Sequence, residues 1–289
     1  MRARSALFTL FGDVIRPAGG EAWLSTLTAC MGTLGFTPEA TRTALHRMAA
    51  EGWVEPRRAG RYAAYRLTER GVDRLEEAAA RIYRLRAADW DGRWRLLVGP
   101  APARRSDLAR ALQWMGFGQL SPGTWVSPHE HGTRLATVLA EHGAGAALRF
   151  VTTTDADAER DAQIVASAWD LGGLNEAHAA FIRRWEHVEP PQAPEAAFAT
   201  RIRLVHDWRS FLHLDPGLPA ALLPPHWLGD EAARSFRALY EAVEEPAWAF
   251  YDTLAAAGPP GLRARRAGAQ ARPFATALHA LQTRTHTPA

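Results

Sequence analysis

The chain has 289 residues, of which 47% are hydrophobic and 22% are charged. This length fits two or three domains, and this balance is typical of a folded globular protein, which excludes a disordered or fibrous chain. All 34 cationic side chains are arginine. Residues 1–86 carry 14 of these arginines against 9 acidic residues, whereas the remainder is slightly acidic. The first third is therefore the part of the chain suited to a polyanionic partner.

The sequence shows no membrane segment and no export signal. The longest uncharged run, residues 22–38, is 17 residues long and contains Ser, Thr and Gly, so it is too short and too polar to span a bilayer. Asp13 interrupts the N-terminal apolar stretch, and no small-residue cleavage site follows it. The single cysteine, Cys30, excludes an internal disulfide and fits a reducing compartment. We therefore expect a cytoplasmic protein without a membrane partner.

The first 86 residues are predicted to form helices followed by a hairpin. We expect helices over 5–14 and 21–31, a helix from Pro38 to Gly52, strands over 53–55 and 62–67 joined by the basic loop 56–61, and a long linking helix from Thr68. Thr37 is placed to cap the third helix, and Pro38 suits its first position. Ala44, Leu45 and Met48 share one apolar face of that helix, which leaves a polar face outside.

This order of elements is the plan of a winged helix-turn-helix, in which the third helix enters the major groove of DNA and a basic hairpin contacts phosphates or the minor groove. The residues of suitable type and spacing are Arg42, Thr43, His46 and Arg47 on the helix and Arg57, Arg58, Arg61 and Tyr62 on the hairpin. The alternative is a solvated surface helix beside a basic loop. The hairpin has no acidic residue between positions 56 and 67, and this favours DNA.

Two further domains are expected, over 87–155 and 156–289. The first is predicted as a βαββαβ unit, with strands over 94–98, 118–120, 124–126 and 147–152 and helices over 104–115 and 133–141, which is a ferredoxin-like pattern. The polar run 152–160 is predicted to be a linker. The last domain is predicted to be mainly helical, with helices over 161–169, 175–186, 193–212 and 230–257 and a proline-rich break over 215–229. The predicted fold class is therefore α+β.

Several motifs, in matching order over residues 5–229, resemble the PaaX family of phenylacetate-catabolism repressors. They are Phe8-Thr9-Leu10-Phe11-Gly12-Asp13, Arg16-Pro17, Gly20-Glu21-Ala22-Trp23-Leu24, Arg42-Thr43-Ala44-Leu45-His46-Arg47-Met48, Glu51-Gly52-Trp53, Trp90-Asp91-Gly92-Arg93-Trp94, Trp114-Met115-Gly116-Phe117-Gly118, His206-Asp207-Trp208-Arg209, Asp215-Pro216-Gly217-Leu218-Pro219, Leu222-Leu223-Pro224 and Trp227-Leu228-Gly229. The resemblance implies a GntR-like winged helix, a Cas2-like middle domain and a helical C-terminal domain. It also implies a homodimeric repressor of double-stranded operator DNA that phenylacetyl-coenzyme A releases.

An acyl-coenzyme A site is expected in the C-terminal domain, mainly because of this resemblance. Trp208 and Trp227 flank the proline-rich break in the sequence, and cationic side chains lie near them. Aromatic rings and arginines suit a ligand with a ring and phosphates. The candidate effector-binding residues are Arg201, Arg203, Trp208, Arg209, His213 and Trp227. The alternatives are a rigid loop packed on helices, and a repressor of the same type that answers to a different acyl-coenzyme A.

A metal-dependent nuclease built on the middle domain is the alternative from a different class of protein. Such nucleases carry an acidic residue where the first strand ends, but this strand ends in Leu97-Val98-Gly99-Pro100. Two histidine groups, His129-Glu130-His131 and His206 with His213, lack the spacing of known metal sites. Nucleotide-binding glycine loops and nucleophile elbows do not occur either. We therefore expect no catalytic residues, no metal site and no cofactor.

Overall fold

The computed structural model describes residues 1–82, 90–99 and 107–259, and these residues divide into two compact units. The first unit combines residues 1–82 with Phe181–Ser210 and residues 231–259. The second unit contains residues 90–99, 107–180 and Phe211–Asp230. Each unit is therefore built from segments that lie far apart in the sequence. Within the described ranges, no helix is long and apolar enough to cross a membrane.

The N-terminal segment of the first unit contains four helices and a three-stranded sheet. Its elements are α1 (Ala3–Leu10), a π-helical turn (Phe11–Ile15), β1 (Glu21–Trp23), α2 (Leu24–Gly32), α3 (Pro38–Ala50), β2 (Val54–Ala59), β3 (Tyr62–Leu67) and α4 (Glu69–Ile82). The strands are antiparallel and lie in the order β1-β3-β2. The start and end of α3 are as predicted, because Thr37 Oγ1 accepts a hydrogen bond from the Ala40 amide and Gly52 adopts a φ of +72°.

The prediction of a helix starting at Glu21 is wrong. Glu21, Ala22 and Trp23 instead pair with Arg66, Tyr65 and Ala64 of β3, and the helix begins only at Leu24. The spacing of apolar residues after Trp23 was helical, but the three residues before Leu24 gain ladder hydrogen bonds from a strand more than 40 positions later. Tertiary pairing thus overrides the local periodicity.

The predicted length of the basic loop, residues 56–61, is also wrong. Pairing continues along β2 as far as Ala59, which lies opposite Tyr62, so only Gly60 and Arg61 form the turn. Gly60 has a φ of +60°, the left-handed conformation that a two-residue hairpin turn of this kind requires. Pro56 is tolerated within β2 because β2 is an edge strand of the sheet. The arginines of the loop therefore lie on a regular hairpin.

The remaining part of the first unit is helical. It contains the end of α8 (Leu171–Trp185), α9 (Pro194–Trp208), most of α10 (Gly229–Ala242) and α11 (Glu244–Ala256). The predicted helix over 193–212 ends as an α-helix at Trp208 and continues as a 3₁₀ turn, Arg209–His213. The predicted helix over 230–257 is two helices that meet at Val243, which is buried. The apolar faces of α9 and α11 pack on each other and on α1 and α2.

The second unit is built around a four-stranded antiparallel sheet. Its elements are β4 (Trp94–Val98), α5 (Asp107–Trp114), β5 (Gly118–Ser121), β6 (Thr124–Ser127), α6 (Gly132–Glu141), β7 (Leu148–Thr152), α7 (Ala158–Ala168) and the start of α8. The strands lie in the order β5-β6-β4-β7, so β7 forms one edge. The predicted start of α5 at residue 104 lies outside the described residues.

Both faces of this sheet are packed. Leu97 and Trp125 contact the apolar sides of α5 and α6, whereas Trp94 and Val126 face α7 and the segment after Phe211. The connection predicted as a linker over 152–160 is only five residues long. It ends at Asp157, whose side chain caps α7 by accepting hydrogen bonds from the Glu159 and Arg160 amides.

A buried polar contact and a glycine hold α7 against the sheet. Asp161 on α7 accepts hydrogen bonds from Trp94 Nε1 at 2.8 Å and from Thr154 Oγ1 at 2.7 Å. A side chain at Gly118 would come within 2.5 Å of the Trp169 ring, so only glycine permits β5 and this ring to approach so closely. Packing thus accounts for Trp94 and Gly118 of the middle motifs.

Candidate nucleic-acid interface

The outer face of α3 is a polar surface in the first unit. Ala44, Leu45 and Met48 are buried, as predicted, whereas Arg42, Thr43, His46 and Arg47 are all exposed. Arg42 Nη1 lies 3.5 Å from Oε1 of Glu39, one turn earlier on the same helix. Within the described residues Arg47 makes no salt bridge, so its guanidinium is available to an incoming acceptor. Two arginines, a threonine and a histidine thus share one helical face.

The hairpin of β2 and β3 carries the second group of predicted residues, and these residues are not equivalent. Arg57 donates two hydrogen bonds to the Glu21 carboxylate, at 3.0 and 2.9 Å. Arg58 is exposed and makes no salt bridge within the part of the chain that the structure describes. Arg61 donates to the Tyr62 hydroxyl at 2.8 Å, and its guanidinium lies over that ring. Glu21 therefore partly neutralises Arg57, and the positive charge at the tip comes from Arg58 and Arg61.

A buried ion pair connects the N-terminal segment with the helices of the same unit that come later in the chain. Arg201 on α9 donates from Nε to Asp13 Oδ2 at 2.7 Å and from Nη2 to Oδ1 at 3.2 Å, and the two side chains are only 2% and 1% exposed. The Tyr240 hydroxyl donates to Asp13 Oδ1 at 2.8 Å and accepts from Arg201 Nη2. The Arg201 guanidinium also lies over the Tyr240 ring. Arg201, predicted as an effector ligand, is therefore bound within the core.

A second polar contact joins α1 with the end of α9. Arg209 donates to the Ser5 carbonyl at 3.1 Å and to Thr9 Oγ1 at 2.9 Å, and burial lowers the pKa of its guanidinium. Thr9 Oγ1 also lies 3.2 Å from His206 Nδ1. Burial, helped by the nearby Arg209 charge, lowers the pKa of His206, which favours its neutral form. The side chains of Arg209 and His206 thus position the first helix.

The other predicted effector residues fall into both units. Trp208 stacks on Phe236 with ring centroids 4.8 Å apart and packs edge-on against Phe181, all in the first unit. Arg203 is exposed and lies 3.4 Å from the Thr33 carbonyl. In the second unit, His213 is exposed, and its ring centroid lies 5.2 Å from that of Trp114.

Trp227 packs against a buried histidine in the second unit. The ring centroid of His178 lies 5.0 Å from that of Trp227 and 4.4 Å from that of Phe211. His178 is buried, and its Nδ1 has no hydrogen-bond partner among the residues that the structure describes. Desolvation lowers the pKa of His178, although the charges of Asp215 and Asp230 act in the opposite direction. His178 is therefore held as a neutral side chain among aromatic rings.

We expect the burial of His178 to make the second unit less stable in acid. Because the folded pKa is lowered, the stabilisation is complete above the unfolded value of about 6.5 and decreases as the pH falls toward the folded value. One such group changes the free energy of unfolding by at most about 1.4 kcal/mol per pH unit. Urea unfolding between pH 7.5 and about pH 5 should show a weaker pH dependence for His178→Phe than for the native chain. Replacement of the exposed His142 by phenylalanine is the control, and an equal effect of both substitutions would contradict the assignment.

The histidines weighed as metal ligands have protein partners instead. His131 Nε2 lies 2.9 Å from Ser127 Oγ, and its ring stacks on Phe117. The rings of His129 and His131 are 6.3 Å apart and perpendicular. Across the described residues, no group of three or more His, Cys, Asp or Glu side chains is placed to hold a metal ion. Asp91, next to the first strand of the sheet, is bound by Arg95, and this hydrogen bond lowers its pKa to about 2.

The sequence interpretation missed the residues that attach the N-terminal segment to the later helices. Asp13 and Thr9 belong to a motif of the family resemblance, but the sequence assigns neither of them a partner, and Tyr240 carries no such signal. A charged residue within an otherwise apolar helix is itself a signal, because a buried carboxylate requires a cationic partner. That signal identifies Asp13 as a paired residue, but it does not identify Arg201 as its partner.

Taken by its fold, this is a mixed α+β protein with two antiparallel sheets and helices. Family models match it in three consecutive parts: PaaX-like protein over residues 2–71, PaaX protein central Cas2-like domain over 87–165, and PaaX-like protein C-terminal domain over 169–253. The transcriptional repressor PaaX of Escherichia coli (strain K12) is 34% identical over 258 residues, which cover 85% of this chain and 82% of that relative. The chain belongs to the PaaX family.

The fold is also found among solved structures. One of them, described as uncharacterized protein Rv0674 from Mycobacterium tuberculosis, superposes with a TM-score of 0.59 over 88% of this chain and 98% of its own. The two sequences are 22% identical, so the likeness concerns the fold alone.

Proposed function

We propose that this protein is a cytoplasmic transcriptional repressor whose N-terminal segment is a winged helix-turn-helix that binds operator DNA. The observation that carries the proposal is the exposed polar face of α3 beside a hairpin with an arginine-rich tip, in a member of the PaaX family. In this proposal, α2 and α3 are the helix-turn-helix, and β2 and β3 are the wing.

The two arginine groups have different tasks in the proposal. Side chains on an inserted helix reach base edges and select sequence, whereas cations on a wing contact phosphates and contribute affinity for any sequence. Arg42, Thr43, His46 and Arg47 are assigned to the first task. Arg58 and Arg61, with Tyr62 holding Arg61, are assigned to the second, and Arg57 contributes less because Glu21 already occupies its guanidinium.

We expect the Arg58→Ala, Arg61→Ala double variant to weaken binding to all duplexes alike. Each lost phosphate contact should lower the slope of log affinity against log salt concentration by about 0.9. The measurement is a salt titration of binding to a duplex selected from a random-sequence pool with the native chain. Arg57→Ala is the matched control in the same strand, and its slope should change less. Equal slopes for the native chain and the double variant would remove the wing from the interface.

The rest of the chain is assigned regulatory roles. We assign a ferredoxin-like arrangement to the Cas2-like middle domain, and the strand order β5-β6-β4-β7 with two helices on one face supports this assignment. We assign no catalytic activity to the middle domain, so labelled DNA incubated with Mg²⁺ and the protein should stay intact.

We propose the functional division expected from the sequence: DNA binding by residues 1–86, a middle domain over 87–155 and an effector and dimer region over 156–289.

Release from DNA is assigned to an aryl-acyl-coenzyme A such as phenylacetyl-coenzyme A, bound outside the winged helix. The support is the family membership and the aromatic and cationic residues named above. Arg203 in the first unit is exposed and suited to phosphates, and His213 in the second unit is a separate exposed candidate. Arg201 instead binds Asp13, and Arg209 binds α1. A ligand acts only by preferring the form that binds DNA weakly, and a 100-fold preference corresponds to about 2.7 kcal/mol.

A titration of the DNA-bound protein distinguishes the parts of the effector. Phenylacetyl-coenzyme A, phenylacetate and coenzyme A are added separately, and we expect release by the thioester alone. Release by free phenylacetate at equal concentration would remove the role of the phosphates. If none of the three compounds releases the protein, the assignment as a DNA-binding repressor still holds, and the effector is a different acyl-coenzyme A.

A further inference from the structure

The last described helix of the first unit ends beside the three-stranded sheet. Helix α11 ends at Ala256, and the Gly258 amide donates to the Ala255 carbonyl at 3.3 Å. A side chain at Gly258 would come within 2.8 Å of Trp23 Cδ1, which is closer than two carbon atoms pack, so the backbone passes directly against this indole. Trp23, the last residue of β1, is itself buried. The described chain therefore ends next to Trp23.

Trp23 lies at the end of the sheet that carries the hairpin turn. It is opposite Ala64 on β3, and Ala64 is in turn opposite Arg57 on β2. The ring centroid of Trp23 is 6.0 Å from that of Tyr62, and the Arg61 guanidinium lies 5.0 Å from the Tyr62 ring centroid. Two ring contacts thus connect the point where the described chain ends with the cationic tip of the hairpin.

The sequence that follows, residues 260–289, is a basic tail. It lies outside the described residues and after the family-model matches, the last of which ends at residue 253. The basic tail contains five arginines and no acidic residue, whereas residues 1–259 contain 29 arginines and 31 acidic residues. The tail thus changes the formal net charge of the chain from −2 to +3. Its arginines are Arg263, Arg265, Arg266, Arg272 and Arg284.

The first arginines of the basic tail are close enough in sequence to reach DNA at the hairpin tip. Arg263 and Arg266 follow Gly258 by five and eight residues, which span at most about 18 and 29 Å when extended. Each strand of B-DNA carries a phosphate about every 3.4 Å along the helix axis, so this length corresponds to several phosphates. The hairpin arginines repel a second basic segment, but a polyanion attracts both groups. A duplex bound by the hairpin tip is therefore within reach of the tail.

We propose that the basic tail is a further DNA-binding element, and that Arg263, Arg265 and Arg266 contact phosphates next to those bound by the hairpin of β2 and β3. The inference rests on the proposed function, because it requires the duplex that α3 and the hairpin bind. Phosphate contacts carry no sequence information, so the tail contributes affinity for any duplex and no base preference.

The test compares salt titrations of DNA binding by the full native chain and by two variants, each with three arginines replaced by glutamine. The tail variant combines Arg263→Gln, Arg265→Gln and Arg266→Gln. The control variant makes the same change of charge at exposed positions of the second unit and combines Arg110→Gln, Arg134→Gln and Arg160→Gln. The slope of log affinity against log salt concentration should decrease in magnitude by about 0.9 per lost contact, thus by about 2 to 3 in the tail variant, and should stay native in the control variant.

The possible results separate this proposal from the proposed function. A tail variant with the native slope, or a control variant with an equal loss, would overturn the proposal. If the tail variant keeps the native slope while Arg58→Ala with Arg61→Ala lowers it, DNA binding by the winged helix stands without the tail. A native chain that binds no duplex would overturn both.

A chemical probe tests where the basic tail lies on the duplex. Cys30 is buried, so an iron–EDTA label reacts selectively with a cysteine introduced as Ala264→Cys or, at the hairpin tip, as Arg58→Cys. Hydroxyl radicals from the two labels should cleave the DNA backbone within about 10 base pairs of each other, which is one helical turn. Cleavage from position 58 with none from position 264, or with cleavage from position 264 at a separate part of the duplex, would overturn the proposal.

Discussion

Replacing Asp13 by asparagine should destabilise the first unit by about 3–5 kcal/mol, because the substitution leaves the Arg201 guanidinium buried without its counter-charge. Asparagine has nearly the same size, so the loss reports the charge and its hydrogen bonds and not a cavity. The measurement is urea unfolding, followed by the intensity of tryptophan fluorescence. The matched control is Glu241→Gln in the exposed pair of Arg237 and Glu241, which should change the unfolding free energy by at most about 1 kcal/mol.

A double variant tests whether the cost comes from the unpaired charge. Asp13→Leu with Arg201→Met replaces both ions by apolar side chains, and buried pairs replaced in this way often recover much of the stability. We therefore expect the double variant to be more stable than Asp13→Asn. An Asp13→Asn variant as stable as the native chain would show that the pair is not formed in solution.

Arg42→Ala and Arg47→Ala should each relax the choice of base at one position of the selected DNA. An arginine that binds a guanine edge through two hydrogen bonds contributes about 1–3 kcal/mol of discrimination, whereas affinity for unrelated sequences should change little beyond the lost charge. The measurement compares each variant on the selected duplex and on duplexes with single base-pair changes. Arg160→Ala removes an exposed arginine from the second unit and should change neither quantity. An unchanged base preference in both α3 variants would contradict the assignment of α3 as the recognition helix.

The parts of the fold that depend on neighbouring residues could be predicted from the sequence. The cap at Thr37, the stop at Gly52 and the buried stripe of α3 all follow from contacts within one helix. For this reason the exposed face with Arg42, Thr43, His46 and Arg47 was identified correctly as an outer surface. The strands of the middle domain were also placed within a few residues, since their apolar runs are short and bounded by turn residues.

The parts that depend on distant residues could not be predicted. The segment Glu21–Trp23 is a strand only because it pairs with β3. The same pairing places the Glu21 carboxylate where it forms a salt bridge with Arg57. In the same way, Arg201 resembles a phosphate ligand in the sequence, but Asp13, 188 positions earlier, binds it in the core. The amino-acid composition near the proline-rich break does not show which nearby arginines form salt bridges inside the folded protein.

The assembly of the first unit from separated segments affects the order of events during synthesis. Helix α1 and the Asp13 carboxylate leave the ribosome long before α9 and α10, which they contact. At roughly 5–20 residues per second, the interval between the end of α4 and the end of α11 is roughly 9 to 35 s. During this interval α1 can pack on α3 but not on α9, and the Asp13 carboxylate lacks Arg201. The first unit can therefore be completed only when translation of the chain is nearly finished.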